Sequence, residues 1–256
     1  MRRPGLSGLP RRVLQGVTVG ALLCLAAACA DAPRASTGAV PDVFVARVEA
    51  LALLQTLSAD LLSHDSATET LERWCEDHRL ASPAKIAAER VQGVDKAPTP
   101  EQRTELHVGL TEQVHYRRVR LRCGALVLSE ADNWYVPSRL TPQMNALLES
   151  TDTPFGRVVL PLHFQRRTLS AKLLWRPLAE GWEMHPAAGD PATPLQVPAQ
   201  VLEQRAVLVL PDGMPISEVV ETYTSNVLAF VLPQDHFTKR NTLGDRPRKM
   251  LILKAN

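Results

Sequence analysis

Cys29 follows Leu25-Ala26-Ala27-Ala28. Small residues just ahead of a cysteine suit a lipoprotein signal peptidase: cleavage frees the cysteine amine, and the thiol carries a diacylglycerol. Arg2, Arg3, Arg11 and Arg12 precede an apolar run over residues 13–28, which is the anatomy of an export signal. The competing reading is an ordinary secretory signal cut after an Ala-x-Ala site. On either reading the body of the chain leaves the cytoplasm, and Cys24 leaves with the signal. Cys75 and Cys123 remain. In an oxidising compartment they form a bridge, or else they are two separately buried thiols, since spacing alone gives no distance between them. No Cys/His cluster has zinc spacing, so no structural metal is expected.

Three other groups of residues suit an anionic ligand. Arg118, Arg120 and Arg122 alternate with Val119, Leu121 and Cys123. Such a row is a solvated strand face, unless one guanidinium lines a cavity and forks a carboxylate. Ser66 and Glu69 form an S-x-x-E capping box, which leaves the Ala67 amide as a helix-start donor. Thr153-Pro154 signals another helix start, with Phe155 next in line. First-turn amides lack intrahelical acceptors and attract anions. Routine capping explains each of these alone equally well.

These residues need elements to position them. Apolar residues at Phe44, Val48, Leu51, Leu54, Leu57, Leu61 and Leu62 predict a helix over 44–62 with one broad buried face. A second helix is expected over 67–78. Residues 82–90 read locally as a capped helix. Residues 93–100 are a polar break. Strand alternation runs over 114–136 with Gly124 as the turn, a helix over 142–149, and strands over 157–164 and 169–175. A loop over 181–198 precedes a hairpin, 201–210 and 216–224, around Pro211-Asp212-Gly213-Met214. Trp134, Tyr135 and Trp175 are assigned to core or sheet surface rather than to a pocket wall. Helices first and antiparallel strands afterwards predict an α+β fold. The domain plan is a signal over 1–28, a tether over 29–42, one domain over 43–238 and a tail over 239–256, whose Met250-Leu251-Ile252-Leu253 run packs on the domain or serves a partner. With 45% apolar residues and a net charge of +2, the chain can fill a core and has no basic excess to suggest nucleic acid.

Several motifs occur in a telling order: Leu61-Leu62 with Asp65-Ser66-Ala67-Thr68, the strand Tyr116-Arg117-Arg118-Val119-Arg120-Leu121, the Val136-Pro137 strand end, Thr153-Pro154-Phe155-Gly156-Arg157, and Gly213-x-Pro215 followed by Glu221-x-Tyr223. Over residues 51–228 this resembles the chorismate pyruvate-lyase family, whose fold superfamily includes the ligand-binding domains of GntR-type regulators. The resemblance implies an antiparallel sheet with helices packed on it, and a buried pocket for a hydroxylated aromatic carboxylate. It also implies a strand over residues 82–90, the reading preferred here to the capped helix. It implies elimination of pyruvate from chorismate to give 4-hydroxybenzoate, without cofactor. Carried over residue by residue, the carboxylate-binding arginine falls on Arg118 and the two carboxylate-binding amides on Ala67 and Phe155. The catalytic carboxylate falls on Glu221. Between Pro215 and Glu221 there is one residue more than in the family pattern, so a bulge is required to keep Glu221 on the pocket face. Otherwise Glu218 takes its place, or both are surface acids. Asn133 stands where a basic residue is expected. Chorismate is a cytosolic compound, so an exported, lipid-anchored, periplasmic domain admits a second reading: a non-catalytic protein binding a small aromatic carboxylate. A third is an envelope scaffold.

Overall fold

The computed structural model describes residues 40–185 and 189–230. The expected signal and Cys29, the tether up to residue 39, and the tail over 239–256 lie outside the described residues. The chain forms α1 (Phe44–Ser63), α2 (Ala67–Asp77), β1 (Ile86–Arg90), α3 (Pro100–Glu105), β2 (His115–Cys123), β3 (Leu126–Tyr135), α4 (Pro142–Ser150), α5 (Phe155–Val159), β4 (Gln165–Leu173), β5 (Gln200–Val209) and β6 (Pro215–Thr224). The six strands make one sheet in the order β1-β2-β3-β6-β5-β4, every neighbouring pair antiparallel. This is the α+β architecture expected.

One face of the sheet carries the core. Helix α1 lays Leu54, Leu57 and Leu61 against it, and α2 adds Leu71, Trp74 and Cys75, all packed on Val119, Leu121, Ala131, Ala206 and Val219. The buried line of α1 is Ala46, Ala50, Leu54, Leu57 and Leu61, a narrower stripe than expected, and Leu62 is exposed. A second cluster forms where α4 and α5 meet the end of the sheet, through Met144, Leu148, Phe155, Val158, Phe164, Leu208 and Ile216. The opposite face is ionic across β1, β2 and β3: Arg120 and Arg122 reach Glu89, and Arg118 and Arg120 reach Glu130. Beyond that ladder α3 covers Trp134, with Leu106 and Val136 beside it.

Local chemistry explains the elements. Ser66 caps α2 by accepting from Glu69 N–H, and Thr141 caps α4 by accepting from Met144 N–H, with Pro142 at the first helical position. Thr99 and Gln102 complete a full capping box on α3, a helix absent from the sequence expectation. The expected strand over 157–164 is instead α5 followed by a single 3₁₀ turn, Leu160–Leu162. The apolar run there is continuous, and continuous runs do not distinguish strand from helix by periodicity. Phe155, Val158 and Val159 are buried at helical spacing, which decides the matter. The preferred strand at β1 forms, but only from Ile86. Gly213, at φ 86°, closes the β5–β6 loop, where Leu210 N–H donates to Met214 O and Leu210 O accepts from Gly213 N–H. Pro41 and Asp42, the end of the expected tether, belong to the folded body: Asp42 N–H donates to Thr193 O at 2.8 Å, and its carboxylate takes a two-pronged bond from Arg47. Cys75 and Cys123 are bonded, with Cα atoms 6.3 Å apart, so the C-terminal half of α2 is tied to the end of β2.

Candidate functional site

Between the two apolar clusters the sheet face is not filled. A small cavity lies there, with about 50 Å³ open to the centre of a water-sized sphere. Its floor is the inner parity of the strands: Arg117, Val119 and Leu121 of β2, Ala131 and Asn133 of β3, Val219 and Glu221 of β6, Leu208 of β5 and Arg166 of β4. Its roof is the start of α2, from Ser66 to Thr68, and the start of α5, Phe155 and Gly156. These two starts face each other closely: a Cβ on Gly156 would stand 3.6 Å from Ser66 Oγ and 3.7 Å from Thr68 Oγ1. Apolar walls with a few convergent polar groups are the usual make-up of a small-molecule site.

The resemblance carried the carboxylate-binding arginine to Arg118, and the structure does not bring Arg118 to the cavity. Strand side chains alternate, so neighbours on β2 point to opposite faces. Arg118 faces outward and pairs with Glu130 at 3.1 Å and Asp132 at 3.8 Å. Arg117 is the inward residue, 5% exposed. Its Nη2 donates to the carbonyls of Thr151 at 3.2 Å and Thr153 at 2.9 Å, in the loop that leads into Phe155. Its Nε and Nη1 are buried with no hydrogen-bond partner among the described residues, and no carboxylate pairs with it. Burial, and Arg90 nearby, push its pKa down to about 10. It is a charged guanidinium in a costly place, held by carbonyls rather than by an acid. One signal in the sequence pointed to it: in β2, Arg117 shares the parity of Val119, Leu121 and Cys123, where an arginine is out of pattern.

Ala67 and Phe155 do line the cavity, each contributing a first-turn amide. Glu221 lines it too, 5% exposed. The register between β5 and β6 shifts so that Leu208 faces Ser217 and Val209 faces Pro215, leaving Ile216 as an extra residue on β6. This irregularity between Pro215 and Glu221 sets the parity that turns Glu221 inward. Glu218 faces the other way. It is fully buried beneath α3, where its Oε1 accepts from Arg205 Nε at 2.6 Å and Gln102 Nε2 at 3.2 Å. Neither acid lies on the surface. Asn133 lines the cavity as a neutral group, its Oδ1 accepting from Ser217 Oγ at 2.5 Å. Tyr135 and Trp134 sit in core clusters, the Tyr135 ring tilted against Phe155 with centroids 5.6 Å apart.

Arg166 was not anticipated. Its side chain is 3% exposed and its Nη2 stands 2.5 Å from Glu221 Oε2, a buried ion pair. Tyr223 donates its hydroxyl to the same oxygen at 3.1 Å, and burial together with that carboxylate raises the phenol well above its ordinary range. Burial works against the Arg166 charge, and the Glu221 carboxylate more than offsets it, so the guanidinium is held the more firmly protonated. Asp65, exposed at the rim, accepts from the Arg166 backbone N–H at 2.8 Å. In the sequence Arg166 falls in the gap between two expected strands, one of which does not exist.

No family model matches the chain. The uncharacterized protein y4mC of Sinorhizobium fredii is 56% identical over 197 residues, which cover 75% of this chain and 82% of that protein. Among solved structures, the possible transcriptional regulator YydK of Bacillus subtilis matches at 17% identity with a TM-score of 0.36, over 57% of this chain and 60% of that one. PhnF from Mycobacterium smegmatis matches at 12% identity and a TM-score of 0.42, over 64% and 66%. A GntR-family transcriptional regulator from Enterococcus faecalis matches at 13% and 0.35, over 54% and 93%. The chain thus spans less than two thirds of YydK and of PhnF.

Proposed function

We propose that this chain, which belongs to the same family as y4mC of Sinorhizobium fredii, binds a small organic carboxylate in the cavity between the sheet and the starts of α2 and α5. The observation that carries the reading is Arg117: a buried cation with two nitrogens unpartnered and, among the described residues, no carboxylate within ion-pair distance, Asp152 acting on it from farther off. A buried charge is tolerated where something pairs with it, and a carboxylate entering the cavity would do so. The Ala67 and Phe155 amides flank the same space. Phe155, Phe164, Val119, Leu121 and Leu208 make walls suited to an aromatic or similarly flat apolar body.

The test is titration of the purified protein with 4-hydroxybenzoate by calorimetry. Binding by the wild type, lost by about 30-fold or more in Arg117→Ala as expected for truncating a buried charge pair and unchanged in Arg118→Ala, supports the site. Equal binding by wild type and Arg117→Ala sinks it.

Glu221 favours a second reading, lyase chemistry, because it is a carboxylate on the floor of the same cavity as Arg117. The clamp would orient chorismate and Glu221 would assist proton movement as the ring aromatises and pyruvate leaves. Incubation with chorismate decides between the two: release of 4-hydroxybenzoate and pyruvate in equal amounts, lost in Arg117→Ala and Glu221→Gln, establishes turnover. Binding without release leaves a carboxylate-binding protein. In either case we place the domain outside the cytoplasm, lipid-anchored through Cys29. The Cys75–Cys123 bond supports export, since disulfides persist in oxidising compartments.

A further inference from the structure

We infer that this cavity is built to admit one negative charge and no more, and that Arg166 is the specificity-determining residue that sets this number by neutralising Glu221. The inference rests on the carboxylate-binding reading proposed above, not on the lyase reading, and names the charge class of the ligand: monoanionic carboxylates, with dianions refused, chorismate among them.

The charged residues lining the cavity are Asp65, Arg117, Arg166 and Glu221. Asp65 is exposed at the rim, where water screens it. The other three are buried and do not screen one another through water. Arg166 and Glu221 cancel as a 2.5 Å pair, with Tyr223 donating to the same carboxylate oxygen. Among the described residues that line the cavity, Arg117 is left as the single surplus charge; Arg90 and Asp152, of opposite sign to each other, act on it from outside the lining. One ligand carboxylate balances it. A second would meet a guanidinium whose charge Glu221 already balances, although its Nε has no partner among the described residues, and it would stand near the Glu221 carboxylate itself, a like charge in a buried site. Asn133, the remaining polar side chain of the floor, is neutral and tied to Ser217. Without Arg166 the count changes: Glu221 becomes the counter-charge of Arg117, and a ligand carboxylate then enters a site with no surplus cation. Arg166 therefore acts on ligand affinity through Glu221, without touching the ligand carboxylate.

Calorimetric titration of 4-hydroxybenzoate, terephthalate and monomethyl terephthalate tests this with wild type, Arg166→Met, Glu221→Gln and the double variant. Like-charge juxtaposition in an interface costs several kilocalories, so wild type is expected to bind terephthalate about tenfold or more weakly than its monomethyl ester, which is larger but singly charged. Arg166→Met is expected to lose about tenfold or more for 4-hydroxybenzoate, on the same ground of an uncompensated Glu221. The double variant, whose buried pair is neutral, regains it. A purely structural role for Arg166 predicts no such rescue. Glu221→Gln frees the Arg166 guanidinium and shifts preference toward terephthalate; this arm decides the matter if the double variant does not fold. The inference is overturned if Arg166→Met binds 4-hydroxybenzoate as wild type does, if a folded double variant binds no better than Arg166→Met, or if wild type prefers the dianion. Absence of any Arg117-dependent binding by wild type overturns the carboxylate site itself; Arg117-dependent binding with an indifferent Arg166→Met overturns only the charge rule.

Discussion

Arg117 and Arg118 are adjacent in the chain and opposite in every physical respect. Arg118 is a third exposed and shares Glu130 and Asp132 with its neighbours. Exposed ion pairs of this kind contribute at most about 1 kcal/mol, so Arg118→Ala is expected to lower stability by less than about 1 kcal/mol and to leave ligand binding alone. Arg117 is buried with no carboxylate within ion-pair distance among the described residues, so the protein carries an electrostatic cost that the proposed carboxylate ligand would relieve. Ligand at about 100 times its dissociation constant should add about 2.7 kcal/mol. A thermal melt checks both statements: 4-hydroxybenzoate raises the midpoint in wild type and in Arg118→Ala, and not in Arg117→Ala. An equal rise in all three would remove Arg117 from the site. The sequence made an arginine on this strand legible, together with Ala67, Phe155 and the carboxylate of β6. Motif counting selected the arginine next to the one that lines the cavity, and it has no sense of face. Parity does: Arg117 is the charged residue in the apolar phase of β2. Arg166 left no such mark, since its partner Glu221 lies 55 positions away and nothing local announces the pair.

At the scale of elements, the roof of the cavity depends on how α2 and α5 are held. Their starts approach through Gly156, Ser66 and Thr68, and Glu72 of α2 gathers Arg157 of α5, Lys85 and the Ile86 amide. The far end of α2 is fixed covalently, Cys75 to Cys123 on β2. Removing a native disulfide typically costs about 2–5 kcal/mol. Replacing both cysteines by alanine is therefore expected to lower stability by about that amount in denaturant titration, while 4-hydroxybenzoate binding at low temperature persists, because the packed contacts of Leu71, Trp74 and Ala67 remain. Unchanged stability would mean that the bond contributes nothing to the fold in solution. Caps and alternation made α1, α2, α4, β2, β3 and the β5–β6 hairpin legible. The misreading of residues 157–164 and the overlooked α3 have one cause: both helices are too short for an apolar period to register, and α3 buries only Gln102.

For the whole molecule the matter is where such a domain would work. No helix among the described residues is long and apolar enough to cross a membrane, and the folded body begins at once from Pro41 and Asp42, pinned to residues 193–194. If Cys29 is the lipidated N-terminus, only a dozen residues separate the bilayer surface from the domain, too few for it to work far from the membrane. A diacylglycerol supplies two chains, and two chains are what stable anchoring takes. Expression of the full chain in a bacterial host with a clickable fatty acid should label it and send it to the membrane fraction. Cys29→Ser separates the two export signals. A lipoprotein peptidase acts only on the modified cysteine, so the variant keeps residues 1–28 and migrates as the longer, unlabelled form. A secretory peptidase cutting after Ala-x-Ala is indifferent to residue 29, so the variant would mature as before. Maturation of Cys29→Ser would therefore remove the anchor while leaving export intact. The Cys75–Cys123 bond gives the independent readout of compartment: thiol trapping before lysis should find both cysteines oxidised in the exported chain and reduced in one lacking residues 1–28.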